Sequence, residues 1–299
     1  MGYGMNSKLS DGFLMSPKID FVFKLLFGDE KNKDILIGFL SAVLKMSQED
    51  FVGIEIVNSE LLREFKEDRK GILDVRAKTR SGKQIDIEIQ IVPTDYMPER
   101  TLFYWSKLYN GQIKSGETYD KLKKCITINI VDFVCIPLKK LHTSFHVIED
   151  ETGYRLTDVL EVHFLELPKL FKEDIEKDEN DPIVEWMEFL DGKSKGVMEM
   201  LAKKNVNIKK AYDLLQVISQ DDNARMAYEA RETEIRDQMT RMKSAEERGK
   251  TEGKTEGKIE GKIEDATNLL KLGVSIDIII KATGLPEEKV IQIKKELEN

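Results

Sequence analysis

Hydrophobic and polar positions alternate most regularly in residues 71–92, GILDVRAKTRSGKQIDIEIQIV. In the second half of this stretch, isoleucines at every other position alternate with Asp86, Glu88 and Gln90. That period of two is typical of a strand with one buried side. Residues 73–78 alternate in the same way, and Gly82 between the two arms can take a left-handed backbone position. The pattern predicts a β-hairpin whose second strand, apolar along its inner row, is central in a sheet.

The length of the hairpin loop decides what its polar face can do. A two-residue loop would put the polar rows of the two arms on opposite sides, whereas a loop of three or five residues buries both apolar rows together. With such an odd loop, Asp74 lies across from Gln90 or Glu88, within about 8 Å on one face. Two carboxylates and an amide are hard ligands suited to Mg²⁺ or Mn²⁺. The alternative is a face that is simply solvated, as exposed antiparallel faces are.

The remaining periodicity predicts an α/β core with a mixed sheet, followed by a helical region. Helical spacing covers residues 20–26, 33–44 and 99–114, and strand patterns cover 54–57, 125–133, 145–148 and 159–167. After Pro168 the chain becomes helical and acidic, at 183–190, 208–218 and along a polar stretch at 221–247. We expect a flexible leader (1–15), the α/β domain (16–167), a helical extension (168–247), a repeat segment (248–264) and a small helical tail (265–299).

The repeat segment contains GKTEGKTEGKIEGK, in which glutamates and lysines each recur every four residues. In a lone helix, like charges four apart and interior glycines both oppose helix formation. In a paired helix an acidic row can face a basic row, and glycines let the backbones approach. Two interpretations remain open: a conditional homo-oligomerisation arm, or a flexible linker of the kind that charge-rich tracts usually form.

The tail carries short helical patterns separated where Gly273 and Gly284 suit helix ends and Ser275 and Pro286 suit helix starts. Helix, glycine turn and helix resemble a helix-turn-helix module. The second helix nevertheless begins Pro-Glu-Glu, which repels phosphate, so a docking or assembly unit is the alternative to DNA reading.

Composition limits the function classes. The net charge is −8, but residues 1–150 hold 22 basic and 22 acidic side chains, so the excess acid lies in the second half, with 25 basic and 33 acidic. The first half can therefore carry a basic cleft without strong nonspecific DNA affinity. Two cysteines in apolar segments suggest core residues in a reducing compartment, and three scattered histidines argue against a zinc site. With no signal peptide or membrane span in the pattern, we expect a cytoplasmic protein.

Several stretches carry a resemblance to a known family. Asp74, a turn and Glu88-x-Gln90 resemble the PD-(D/E)xK nuclease core in a variant where Gln replaces the final Lys. More closely, the chain resembles the recombination-promoting nuclease (Rpn) family of transposase-like proteins. The stretches are PKIDFVFKLLFG, ILDVRAKTRSGKQIDIEIQ, ERTLFYWSKLYNGQIKSGETYDKLKKCITINI and the tail pattern KTEGKTEGKIEGKIE with LLKLGVSIDIIIKATGLPEEKV. The resemblance is strongest over residues 16–131, and it implies a restriction-endonuclease-like fold.

The resemblance also implies roles for individual residues. Asp74 and Glu88 are expected to hold Mg²⁺ or Mn²⁺, with the backbone carbonyl of Ile89 completing the shell, and Gln90 orients a water in place of the motif lysine. Because Gln90 carries no charge, another group must provide the positive field. The candidates for that charge, from the residues themselves, are Lys18, Lys24 and Lys107, together with Arg76 and Lys78 on the Asp74 face. The family pattern places Asp20 and Lys24 on the first helix, and Tyr104 and Gln112 on the helix after the hairpin, as auxiliary catalytic or substrate-contact positions; Lys107 and Arg76 are also expected to contact substrate.

We therefore expect a metal-dependent DNA endonuclease that cleaves phosphodiester bonds by activating a water. The family resemblance suggests a role in recombination or in defence against foreign DNA, and the tail suggests a homo-oligomer. The alternative is a nuclease scaffold that has lost its activity and serves as a DNA-docking or assembly module. Net acidity and the missing lysine favour that alternative.

Overall fold

The computed structural model describes residues 12–57 and 75–298. In chain order, its helices and strands are α1 (Asp20–Phe27), α2 (Lys33–Leu44), β1 (Glu55–Ile56), β2 (Val75–Lys78), β3 (Gln84–Gln90), α3 (Met97–Asn110), β4 (Cys125–Val131), β5 (His142–Phe145), β6 (Leu160–Glu166), α4 (Pro182–Asp191), α5 (Lys195–Lys204), α6 (Val206–Ile218), α7 (Asp222–Lys271), α8 (Ile276–Thr283) and α9 (Glu287–Glu298).

The strands of the described residues form one mixed sheet in the order β1-β2-β3-β4-β6-β5. The pairs β1–β2, β2–β3 and β5–β6 are antiparallel, whereas β3–β4 and β4–β6 are parallel. Parallel neighbours need a long crossover, and α3 is the crossover between β3 and β4. The predicted α/β core and the central position of β3 are therefore confirmed.

Each face of the sheet is covered by helices. The isoleucines of β3 (85, 87 and 89) and of β4 (126, 128 and 130) share one buried core with residues of α1, α2, α4, α5 and α6. The opposite face buries Val131, Val162 and Phe164 against Met97, the first residue of α3. Covering both faces is what makes the central strands nearly continuous in burial, from Ile85 to Ile89 in β3 and throughout β4.

Aromatic packing joins the predicted helices α1 and α2 to α4. Trp186 is 1% exposed, and its ring centroid lies 5.7 Å from that of Phe27 and 5.8 Å from that of Phe39. The same core reaches into the segment expected to be a flexible leader, where Met15 is fully buried and its amide donates to Ser219 Oγ at 3.0 Å. That expectation is wrong for residues 13–15, because α6 and the following turn provide a covering surface that the local sequence does not reveal.

Several elements of the structure differ from the predicted ones. α3 begins at Met97 because Pro98 occupies the first helical turn, where the missing N–H costs nothing, instead of breaking the pattern. The edge strand β5 is His142–Phe145 instead of 145–148, a region where only an isolated bridge pairs Ile148 with Arg155. The helix α5 has no counterpart in the sequence analysis.

The repeat segment is helical. α7 runs through it without interruption, so the expected boundaries at 247 and 264 fall inside one helix, and the structure does not describe a flexible linker there. Contacts divide the chain into two compact units, Met1–Ile235 and Arg236–Asn299. The second unit has its own small core, formed by Ala266, Ile279, Leu285, Val290 and Ile293. Gly273 and Gly284 have positive φ, at +78° and +66°, as expected for the ends of helices.

The sequence predicted core cysteines in a reducing compartment and no membrane span. Neither cysteine forms a disulfide; Cys125 is buried and Cys135 half-buried, and burial raises their thiol pKa values to about 12 and about 11. Among the helices of the described residues, none combines the length and apolar character needed to cross a membrane.

We expect Gly38→Ala to destabilise the first unit by about 1–3 kcal/mol, the usual cost of overpacking a core. Gly38 lies inside α2, and a Cβ there would stand 2.6 Å from Asn207 Cβ on α6. Gly196→Ala on α5 is the matched control, because its Cβ would meet only Ser194 Oγ at 3.8 Å. Urea denaturation of both variants measures the difference; equal stabilities would show that α6 yields freely at this contact.

Candidate active site

The hairpin β2–β3 has the odd loop that the sequence analysis required. Its five loop residues run from Thr79 to Lys83, and Gly82 takes a φ of +88°. Val75 pairs with Ile87 and Ala77 with Ile85, so both apolar rows lie on the same buried face. The polar residues Arg76, Asp86 and Glu88 therefore share the other face of the sheet.

That other face is not solvated. Asp86 is 0% exposed and Glu88 3% exposed, because the β3–α3–β4 crossover lays α3 over them. In the parallel register Asp86 stands beside Thr127 and Glu88 beside Asn129, and both neighbours are buried as well. The simply solvated face kept open as an alternative is therefore wrong, and the site is a polar layer between sheet and helix.

Glu88 is held by α3. Arg100 Nη2 donates to Glu88 Oε1 in a charge-assisted hydrogen bond. Burial raises the pKa of Glu88 above its ordinary value, and the nearby guanidinium opposes that shift. One helical position later, Thr101 Oγ1 donates to Asn129 Oδ1 at 3.0 Å, which ties α3 to β4 beside this pair.

Asp86 is the less satisfied of the two acids. Neither of its carboxylate oxygens has a hydrogen-bond partner among the described residues, and the hydroxyl of Thr127 next to it has none either. The nearest charge is Arg76, whose Nε lies 3.5 Å from Asp86 Oδ1. Burial raises the pKa of Asp86 to about 7, and Glu88 adds to the rise while Arg76 lowers it. Buried polar atoms without partners mark space for water or an ion.

The remaining residues of the hairpin motif are placed as follows. The Ile89 side chain lies in the core on the opposite face, 5% exposed, as predicted from the alternation. Gln90 is half-buried on the Glu88 face, and its Nε2 donates to the Val92 carbonyl at 2.8 Å. Asp74 lies outside the described residues; the last pair described in β2–β3 at that end is Val75 with Ile87.

Asp20 on α1 and Lys18 just before it contact groups other than Glu88. Both carboxylate oxygens of Asp20 accept from Arg231 on α7, with Nε to Oδ1 at 2.8 Å. Lys18 Nζ lies 2.7 Å from Asp132 and 3.7 Å from Asp191. Lys24 is exposed on the same helix. The structure therefore does not describe a contact between Asp20 or Lys18 and the Glu88 carboxylate.

Of the residues expected on and after α3, Tyr104 lies next to Arg100, which binds Glu88, whereas Lys107 and Gln112 have other neighbours. The Arg100 guanidinium lies 5.5 Å from the Tyr104 ring centroid. Lys107 lies over the Phe103 ring at 4.4 Å. Gln112 binds the backbone of Lys123 from both ends of its amide, at 2.8 and 2.9 Å, next to Cys125. Cys125 pairs with Gln84, four residues before Glu88 and therefore roughly 13 Å along the strand.

The sequence analysis missed Asp86 and Arg100 as members of the site. The alternation already put Asp86 on the Glu88 face, so its signal was present but was not used. Arg100 lies four residues before Tyr104 on a predicted helix, and that spacing puts the two on one helical face. Lys78, expected to share the Asp74 face, is exposed at the end of β2.

The histidines, expected to be scattered, lie close together in the fold. They are separated in sequence, but His142 Nε2 lies 2.7 Å from His163 Nδ1, and His163 Nε2 lies 2.8 Å from Glu161. His146 Nε2 is 3.5 Å from the same carboxylate. Antiparallel pairing of β5 with β6 brings them together. Among the described residues, no group of three or more histidine, cysteine or acidic side chains is arranged to hold a metal.

Comparison with known proteins gives one family. The model of the PD-(D/E)XK nuclease family transposases matches residues 17–245, which include the whole sheet and helices α1 to α6. No curated protein and no solved structure matches the chain significantly.

We expect Asp86→Asn to be more stable than the original chain by an amount that grows from pH 5 to pH 8. The carboxyl pKa is 3.8 in the unfolded chain and about 7 when folded, so the unfolded chain releases its proton first as pH rises. Ionisation therefore lowers the free energy of unfolding, by up to about 4 kcal/mol above pH 7. Asparagine does not ionise. Urea denaturation at four pH values measures the difference, with exposed Asp95→Asn as control; a difference independent of pH would contradict it.

Proposed function

Because the chain belongs to the PD-(D/E)XK nuclease family transposases, we propose that it is a metal-dependent endonuclease that hydrolyses phosphodiester bonds in DNA. One observation carries the proposal above all. Glu88, the acid of the E-x-Q stretch, lies on the central strand of the sheet, buried beneath α3, with Arg100 and Tyr104 next to it. A buried acid with basic and aromatic neighbours is a functional-site candidate on physical grounds.

Asp74 is the proposed second acid. If the antiparallel register of β2 and β3 were continued by one pair beyond Val75 and Ile87, position 74 would be the partner of Glu88. Acids directly opposite on one face of a sheet have Cβ atoms about 5 Å apart, close enough to share a divalent cation. The Ile89 carbonyl is the third proposed ligand.

These donors fit Mg²⁺ or Mn²⁺. Carboxylate and carbonyl oxygens are the ligands that hard divalent cations prefer. Both carboxylate oxygens of Asp86 also lack hydrogen-bond partners among the described residues, so the layer beneath α3 holds further oxygen acceptors. A bound cation would lower the pKa of a water and neutralise charge on the phosphate. In the hydrolysis, the water oxygen forms a bond to phosphorus, the bond from phosphorus to the leaving sugar oxygen breaks, and that oxygen takes up a proton.

The proposed roles of the other expected residues differ in how directly their contacts support them. Gln90 would orient the water, after its amide leaves the Val92 carbonyl. Tyr104 and Arg76 lie in the polar layer and would contact substrate there. Lys24 and Lys107 would attract the DNA backbone. Asp20 and Gln112 are better supported as positioning residues, because Asp20 pairs with Arg231, and Gln112 fixes the segment after α3 to the backbone at Lys123.

The substrate and setting follow from the family. A nuclease-like domain in a transposase family implies DNA, and we propose that the protein acts in the cytoplasm, in recombination or in defence against foreign DNA. The tail, with Glu287 and Glu288 at the start of α9, is better suited to docking than to contact with phosphate.

A second candidate function is a nuclease-fold module without activity that docks on DNA or assembles with other copies. The ion pair between Glu88 and Arg100 favours it, because this contact occupies one of the carboxylate oxygens that a metal would need. The absence of a charged residue at position 90 favours it as well.

We also propose that the repeat segment joins copies of this chain. In α7 its lysines and glutamates are exposed, and a Cβ on any repeat glycine would meet nothing within 4 Å. Opposed rows of Lys and Glu on two such helices would attract each other, while the glycines allow close approach.

We expect Asp74→Asn and Glu88→Gln each to reduce plasmid nicking in Mg²⁺ or Mn²⁺ by about a hundredfold or more, the usual effect of removing an electrostatic group from a reaction centre. Exposed Glu99→Gln on α3 is the matched control and retains activity. Conversion of supercoiled to open-circular plasmid measures the rate. Nicking that survives both substitutions would exclude this site as its source.

We expect reversal of Lys250, Lys254, Lys258 and Lys262 to Glu to reduce the molar mass of the particle in solution, because rows of like charge then face each other. Exchanging the lysine and glutamate rows completely restores the complementarity and is the control. Light scattering of the full chain, with deletion of residues 249–264 as a third arm, measures the mass. An equal mass for all variants would leave the repeat with no role in assembly.

A further inference from the structure

The motif lacks the positive charge of its final lysine because Gln90 stands there, and Arg100 brings a positive charge next to Glu88. We propose that the Arg100 guanidinium performs the task that the final lysine performs in the PD-(D/E)xK pattern, contacting the scissile phosphate and stabilising its developing charge. This inference rests on the proposed endonuclease function and names a further catalytic residue for it.

The position of Arg100 is the first support. It reaches Glu88 from α3, on the opposite side of the polar layer from β3, so the cation stands over the strand that carries the motif. Gln90 lies two residues further along the same face of β3, about 7 Å away. A charge on α3 therefore serves the same space as a lysine at position 90 would.

The unused donors of Arg100 are the second support. A guanidinium has five N–H donors in a planar fork that matches carboxylate and phosphate geometry. Nη2 donates to Glu88, whereas the buried Nε has no hydrogen-bond partner among the described residues. The side chain is 28% exposed, so it also reaches the surface from which a phosphate would approach.

Arg100 is also held in place. Its guanidinium lies over the Tyr104 ring, and the next residue, Thr101, ties the helix to Asn129 on β4. A donor fixed before the substrate arrives needs no reorganisation during the reaction, which is the basis of electrostatic preorganisation.

Three of the other cations considered for this task have different partners. Lys18 pairs with Asp132 and Asp191, and Arg76 lies next to Asp86. Lys107 lies over the Phe103 ring, two helical turns beyond Arg100. Arg100, in contrast, directly contacts the motif acid Glu88.

The test is a rescue experiment in the full chain. In single-turnover cleavage at saturating DNA with Mg²⁺, Arg100→Gln should lower the rate by about 100- to 1,000-fold. Adding Gln90→Lys to that variant should recover at least tenfold, because the charge returns to the same space. A role limited to holding the Glu88 carboxylate in position through the hydrogen bond predicts no recovery, because a lysine at position 90 restores a charge but not that hydrogen bond. No recovery overturns the proposal.

Two measurements keep the test decisive if Arg100→Gln folds poorly, since breaking a buried pair is costly. Arg100→Lys keeps the charge but loses the fork, so it should melt near the original temperature and cleave about tenfold more slowly. Binding of Mn²⁺ alone, followed by its electron paramagnetic resonance signal, should persist in Arg100→Lys and be lost in Glu88→Gln.

The outcomes separate the two proposals. Cleavage that needs Glu88 but is unchanged in Arg100→Gln and Arg100→Lys overturns the role of Arg100 and leaves the endonuclease standing. Absence of both Mn²⁺ binding and metal-dependent cleavage in the original chain overturns the endonuclease, and the role of Arg100 with it.

Discussion

Two carboxylates, Asp86 and Glu88, lie beneath α3 with almost no exposure, and each faces a guanidinium from a different element. Removing a charge from water is expensive unless an opposite charge and hydrogen bonds compensate for it. Glu88 has such compensation from Arg100, whereas Asp86 has only a longer contact with Arg76. The position of α3, the burial of β3 and the chemistry available to the site all depend on this uneven balance of charge.

The imbalance bears on what the site is for. A sheet stabilised for its own sake would carry apolar residues at these positions, as it does on the other face, where the isoleucines pack against α1 and α2. Asp86 and Thr127 instead leave buried oxygens without partners. Natural proteins tolerate such local losses mainly where function requires them. We therefore interpret the polar layer as a candidate functional site that an otherwise well-packed domain tolerates.

The hairpin was predictable because alternation and loop parity are local. Requiring both apolar rows to be buried limited the loop to three or five residues, and the structure has five, which pairs Val75 with Ile87. The cover over its polar face was not predictable in the same way, because it depends on β4 pairing parallel to β3, a contact between segments about 40 residues apart. Arg100 was missed for this reason. Alternation shows which residues share a face, but it does not show what packs on that face.

Side-chain contacts between segments far apart in the chain could not be predicted from the sequence. Asp20 was read as part of the site, yet Arg231 on α7 binds both of its carboxylate oxygens. The three histidines were interpreted as scattered, yet the β5–β6 pairing brings them together around Glu161. Charge and residue type identify groups that need a partner, and only the assembled fold identifies the partner.

The link between α1 and α7 has a consequence for the order in which the protein is made. Asp20 leaves the ribosome long before Arg231, and the core that α1 enters also includes Tyr228 and Ile235. Domains generally fold as units during synthesis. An incomplete chain that already carries every residue of the nuclease motif therefore lacks the segment that closes its core, and a translation product cut short before α7 is released without a finished domain.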